Sequence, residues 1–154
     1  MKAFKKLITC AALASLAVAV QPAFAAKPET PTSLAGAKVI SADEGKTLVG
    51  DKSVVFVDTR NPLNFGKGHV PGAITASYKE KSEAVADFDA SQDSFTMDKL
   101  PADKNAKIVF YSDGPTGWKS YKAAVLAVKA GYKNVMYMRG GFAEWQGKGH
   151  PVEN

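Results

Sequence analysis

Apolar residues fall into short unbroken runs separated by polar or amphipathic stretches. Val54-Val55-Phe56-Val57 and Ile108-Val109-Phe110-Tyr111 are the clearest; Val39-Ile40, Ala73-Ile74-Thr75 and Val135-Met136-Tyr137 are shorter. Continuous rather than alternating runs are what strands buried on both faces of a parallel sheet require. Helical signals lie between them. Ser41 caps a segment over Ala42–Leu48, with Asp43 and Glu44 in the first turn where they suit the helix dipole. Asn61-Pro62 is a cap followed by proline at the first helical position, so 63–66 reads as one or two helical turns. An alanine-rich stretch from Lys119 to Ala130 closes on Gly131, and Phe142–Trp145 forms a last short helix after Gly140-Gly141. Residues 77–107 are polar, with Phe95–Leu100 the one apolar patch of helical character. Strands alternating with helices predict a single α/β domain whose mostly parallel central sheet is flanked by helices on both faces.

The first 25 residues follow a different logic. Lys2, Lys5 and Lys6 precede the apolar stretch Leu7–Val20, and Ala23-Phe24-Ala25 fits a small-x-small cleavage rule. This reads as a secretory signal peptide over 1–25, too short to serve as a span of about 20 apolar residues. Pro28, Thr30, Pro31, Thr32 and Ser33 make 26–37 a flexible leader, which leaves 38–154 as the domain. The expected location is periplasmic or secreted, with no membrane association after cleavage.

Cleavage changes the charge and the redox chemistry together. It removes three lysines and the sole cysteine, Cys10, lowering the formal net charge from +5 to +2 over 129 remaining residues. Nothing in that balance calls for nucleic acid or a membrane surface. The remaining chain has no disulfide, no thiolate metal site and no thiol nucleophile. Its two histidines, His69 and His150, are far apart in sequence, so neither a metal nor a cofactor is expected. Gly114–Ser120 also fails as a phosphate loop, because Trp118 stands where glycine should precede Lys119-Ser120.

The chemistry concentrates where the Ile108–Tyr111 run breaks into Ser112-Asp113-Gly114-Pro115-Thr116-Gly117-Trp118 and resumes as helix at Lys119 and Ser120. A strand, small-residue loop and helix start aim backbone N–H groups and the positive helix end at one spot, an anion cradle. Asp58-Thr59-Arg60 ends another strand at the same edge of the sheet, where α/β folds place their ligands.

Four pieces in order then resemble the rhodanese-like, single-domain sulfurtransferase family from about Val39 to the C-terminus. They are Val55–Arg60; Phe65 with Gly68-His69-Val70-Pro71-Gly72-Ala73; Phe110-Tyr111-Ser112 with its loop; and Arg139–Trp145. The loop is similar to a variant reading Cys-x-Gly-Pro-x-Cys-x-Lys-Ser. Gly114, Pro115, Lys119 and Ser120 match it, while Ser112 and Gly117 replace its two cysteines.

The resemblance implies that members with the first cysteine carry sulfane sulfur as a persulfide, from thiosulfate or another persulfide to a thiol or cyanide. That chemistry needs a thiolate. A serine hydroxyl stays neutral in the same field, cannot hold sulfur as a stable persulfide, and needs an adjacent base to act as a nucleophile. The resemblance also makes Asp58, Arg60, Phe65 and His69 supporting residues, the first two a strand-end acid–base pair. The expectation is therefore a non-catalytic module in sulfur or redox metabolism. Its cradle over Ser112, Asp113, Gly114, Pro115, Thr116, Gly117, Trp118, Lys119 and Ser120 would hold a small oxyanion such as thiosulfate. A protein-interaction module with an occluded site, bound to a periplasmic partner, and an enzyme using Ser112 in other chemistry are the rival readings.

Overall fold

The computed structural model describes residues 25–154, so all of the expected signal peptide but Ala25 lies outside the described residues. The sheet is built from β1 (Ala37–Ile40), β2 (Val54–Asp58), β3 (Ile74–Thr75), β6 (Lys107–Tyr111) and β7 (Asn134–Met138), in the order β1-β7-β6-β2-β3. Every pairing in it is parallel, with Val57 opposite Phe110 and Phe110 opposite Tyr137 at its centre. A separate antiparallel ribbon joins β4 (Tyr78–Lys79) to β5 (Ser94–Phe95).

Alternation along each strand divides the core in two, since successive side chains point to opposite faces. Ile108 and Phe110 of β6 pack with Tyr121, Ala124 and Ala127 of α3 (Trp118–Lys129). Val109 and Tyr111 pack on the other face with Ala42 of α1 (Ala42–Leu48) and with Phe142 and Trp145 of α4 (Gly141–Gly147). Helices thus cover both faces, as the unbroken apolar runs require. The remaining helix, α2 (Pro62–Lys67), starts on the expected Asn61 cap, whose side chain accepts from the Asn64 N–H. At α1 the cap is reciprocal: Ser41 accepts from the Glu44 N–H and the Glu44 carboxylate takes the Ser41 N–H.

Two local expectations change. Residues 95–100 are not one helix: β5 ends at Phe95 and a 3-10 turn covers Met97–Lys99, because Phe95 packs on Tyr78 and Phe110. The segment expected to be a flexible leader is tied down over residues 27–30. Thr30 is buried; its N–H and hydroxyl both donate to the Pro115 carbonyl, and its hydroxyl lies 2.7 Å from the Tyr137 hydroxyl. The Arg139 guanidinium takes the Thr30 carbonyl and pairs with Glu29 at 2.7 Å. The composition of that segment is that of a loop, yet the Thr30 N–H finds its partner on the loop after β6 and the Thr30 carbonyl its partner on Arg139, just beyond β7.

Candidate anion-binding site

Each neighbour of Ser112 is fixed by a different element. The Tyr111 carbonyl at the end of β6 accepts from both the N–H and the hydroxyl of Thr59, just beyond β2. The first amides of α4 hold the next two carbonyls: Phe142 N–H donates to Ser112 and Ala143 N–H to Asp113, each at 2.8 Å. This approach is close enough to require glycine. Gly141 has φ of +59°, and a Cβ there would stand 2.6 Å from the Ser112 carbonyl oxygen.

The Ser112 hydroxyl is the central observation. The residue is 1% exposed, and its Oγ has no hydrogen-bond partner among the described residues. Such a group costs about 1–3 kcal/mol when left unsatisfied, and Thr75 Oγ1 and Glu80 Oε2 share that status. Residue 112 lines a cavity of about 260 Å³ together with Asp113, Thr116, Gly117, Trp118 and Lys119, joined by Lys27 and Glu80. The N-terminus of α3 opens here without a side-chain cap and without an acidic residue in its first turn, which leaves first-turn N–H donors outside the helical ladder.

The structure brings together six of the nine expected cradle residues and turns three elsewhere. Gly114 packs toward Ala143 and Gly140, Pro115 lines a separate groove with Arg139 and Glu144, and the Ser120 hydroxyl donates to the Gly117 carbonyl. Two of the expected amides are also committed within the loop: Gly117 N–H donates to Gly114 at 2.8 Å and Trp118 N–H to Thr116 at 3.2 Å. A tight loop closes by satisfying its own carbonyls, so the cradle has fewer free donors than its sequence suggests. Gly117 meets Ser112 so closely that a Cβ would lie 2.8 Å from Oγ. Trp118 both walls the cavity and packs edge-on against Tyr121, its indole N–H donating to the Pro28 carbonyl at 2.8 Å.

The four supporting residues stand outside this cavity and act on its frame. Arg60 forks onto Asp58, with Nη2 to Oδ2 at 2.6 Å, donates to the Gly68 carbonyl at 2.7 Å, and lies 4.1 Å over the Phe142 ring. Burial disfavours the Arg60 charge, but the Asp58 carboxylate outweighs it and holds the guanidinium pKa above its ordinary value. The pair therefore staples β2 to the turn before β3. Phe65 and His69 stack at 3.8 Å, His69 Nδ1 is 3.0 Å from the Phe65 carbonyl, and the His69 backbone pairs with Glu153. None of these contacts points His69 at Ser112 as a base.

Sequence reasoning missed three residues that shape the cavity. Glu80, 7% exposed at its side chain, forms part of the wall; Lys27 from the N-terminal segment contacts one of its oxygens. Behind Glu80 lies Lys122, wholly buried on α3, with Nζ 3.1 Å from Glu80 Oε2 and 3.8 Å from Asp93. The same ammonium donates to the carbonyl and the hydroxyl of Ser82. Lys122 did carry a signal: it stands four residues after Trp118 and next to Tyr121, on the apolar face of the helix. Glu80 and Lys27 carried none. Among the described residues no cluster of His, Cys, Asp and Glu could hold a metal, and no helix is long and apolar enough to cross a membrane.

Residues 41–148 match the family model for the rhodanese-like domain. Curated relatives include the tRNA uridine(34) hydroxylases of Yersinia enterocolitica and Yersinia pestis, each 31% identical over 109 residues, or 71% of this chain. The chain spans only 28% of the length of those relatives. Solved structures of similar fold include a thiosulfate sulfurtransferase from Pseudomonas aeruginosa, with 21% identity, TM-score 0.55, and coverage of 77% of this chain and 20% of that one. A rhodanese-related protein from Thermoplasma volcanium is similar at 18% identity and TM-score 0.56, covering 75% and 97% of the two chains.

Proposed function

The chain belongs to the rhodanese-like domain family, and from that premise we propose that it is an exported, non-transferring member that binds a small anion as an accessory module in sulfur or redox metabolism. The observation that carries the proposal is the buried, unpartnered Ser112 hydroxyl at the uncapped start of α3. It occupies the position at which sulfur-transferring members hold their cysteine. An oxygen there donates a hydrogen bond to a bound anion but cannot take up a sulfur atom as a stable adduct.

The same observation weighs against a serine-dependent enzyme. An activated serine donates to a base, and among the described residues Ser112 Oγ has no such partner. Lys119 lines the cavity and supplies the cationic rim. The ligand is small, because about 260 Å³ lies just below the usual range for ligand pockets.

Two measurements test this reading. After treatment with thiosulfate, the intact mass of the protein stays unchanged; a gain of one sulfur on the wild type overturns the proposal. Titration calorimetry with small oxyanions gives saturable, salt-sensitive binding that weakens in Lys119→Ala, and flat titrations with thiosulfate, sulfate and sulfonates remove anion binding. Ser112→Cys asks in addition whether the cradle still supports thiosulfate:cyanide sulfur transfer once the thiol returns.

A further inference from the structure

The cavity beside Ser112 is not simply cationic. Two ammonium groups, Lys27 and Lys119, and two carboxylates, Glu80 and Asp113, line it, so their formal charges cancel. Asp113 and the Lys27 side chain reach solvent, but Glu80 is built into the wall. Lys122 holds it from behind, and Ser82, which anchors Lys122, is itself pinned to Asp93 through its N–H at 2.7 Å and its hydroxyl at 2.6 Å. Asp93 is fixed further by the Lys81 N–H and the Tyr78 hydroxyl. Glu80 is thus a nearly buried carboxylate set between Lys27 and Lys122, and an incoming ligand meets it there.

A fixed carboxylate repels an anion that brings only negative charge and attracts one that also brings an ammonium group. The protein already supplies an ammonium for this carboxylate: the exposed Lys27 sits on Glu80 Oε1 within the cavity lining. Resting on the anion-binding reading of this site, we propose that its ligand is a small zwitterion. Its anionic group meets the Ser112 hydroxyl, Lys119 and the first-turn amides of α3, and its ammonium group displaces Lys27 from Glu80. Aminosulfonates and small amino acids belong to this chemical class.

The test compares taurine, which carries an ammonium and a sulfonate, with isethionate, in which a hydroxyl replaces the ammonium. Calorimetry on the purified wild-type protein is expected to show taurine binding at least ten-fold more tightly. Lys27→Ala is expected to strengthen taurine binding several-fold, because a competitor for Glu80 is removed, and to weaken isethionate, because a cation is lost. Both readouts avoid any substitution in the buried network. Equal affinities for the two sulfonates, isethionate binding without taurine binding, or a Lys27→Ala effect of the same sign on both overturns the zwitterion assignment and leaves the anion site standing. Flat titrations with both sulfonates and with thiosulfate overturn the two readings together.

Discussion

Replacing Ser112 by alanine deletes one oxygen that is buried without a partner among the described residues, and the consequences for stability and binding have opposite signs. A buried hydroxyl left unsatisfied costs about 1–3 kcal/mol, which the substitution recovers. The void left behind, on the order of 20 Å³, returns roughly 0.5 kcal/mol of that gain. The expected net effect is a stabilisation of about 1 kcal/mol. For a domain of this size that is roughly 3–5 °C in melting temperature. Urea unfolding of protein dialysed free of oxyanions measures it as a rise of about 0.5 M in midpoint at unchanged slope. The same variant loses a donor to the ligand, so small-anion affinity falls by up to about ten-fold. A site group that costs stability and serves binding is the usual form of a stability–function trade-off. A loss of 1 kcal/mol or more in Ser112→Ala would show that the fold itself satisfies the hydroxyl, and the reasoning from its isolation fails.

Other consequences follow from the network behind the cavity and from the N-terminal segment. Lys122→Met removes the ammonium that the buried Glu80 and Asp93 side chains share, leaving Glu80 with Lys27 alone, and is expected to cost about 3–5 kcal/mol in urea unfolding; a cost below about 1 kcal/mol refutes the role given to this lysine. Burial by itself raises the Asp93 pKa, but hydrogen bonds from Ser82, Tyr78 and Lys81 outweigh it and lower the value from 3.8 to about 2. Because the folded value is the lower one, this contribution, roughly 2 kcal/mol, is present above pH 4 and is lost as pH falls toward 2. Asp93→Asn should flatten that part of the stability–pH curve, and an unchanged slope argues against it. Thr30→Val removes hydroxyl contacts to the Pro115 carbonyl and to Tyr137. It is expected to cost about 1–3 kcal/mol and to speed limited proteolysis around residues 26–31, whereas identical cleavage rates would mean the segment is not held there.

Local physics made much of the fold legible. A strand buried on both faces must be apolar throughout, so Val54–Val57 and Ile108–Tyr111 announce β2 and β6 within a residue of their ends. The Ser41 and Asn61 caps mark where α1 and α2 begin, because backbone donors at a helix start need nearby acceptors. The short ribbon β4–β5 escaped, since two-residue strands carry no period to read. Phe95 resembles one turn of a helix until Tyr78 and Phe110 are seen to hold it.

The site divides along the same line. The replacement of a thiol by a hydroxyl at 112, and with it the loss of persulfide chemistry, is written in the sequence alone, because it depends only on which atom the residue carries. Glycine at 141 and at 117 is equally local as a symbol, but its necessity comes from α4 and Ser112 approaching from elsewhere. Only the tertiary structure decided that Glu80 walls the cavity, that Lys122 is buried behind it, and that residues 27–30 dock on the loop after β6. The direct contacts among them join residues 42 to 90 positions apart in the chain. Their energies belong to the order of strands in the sheet and the packing of α3 on it, and no spacing along the chain encodes either.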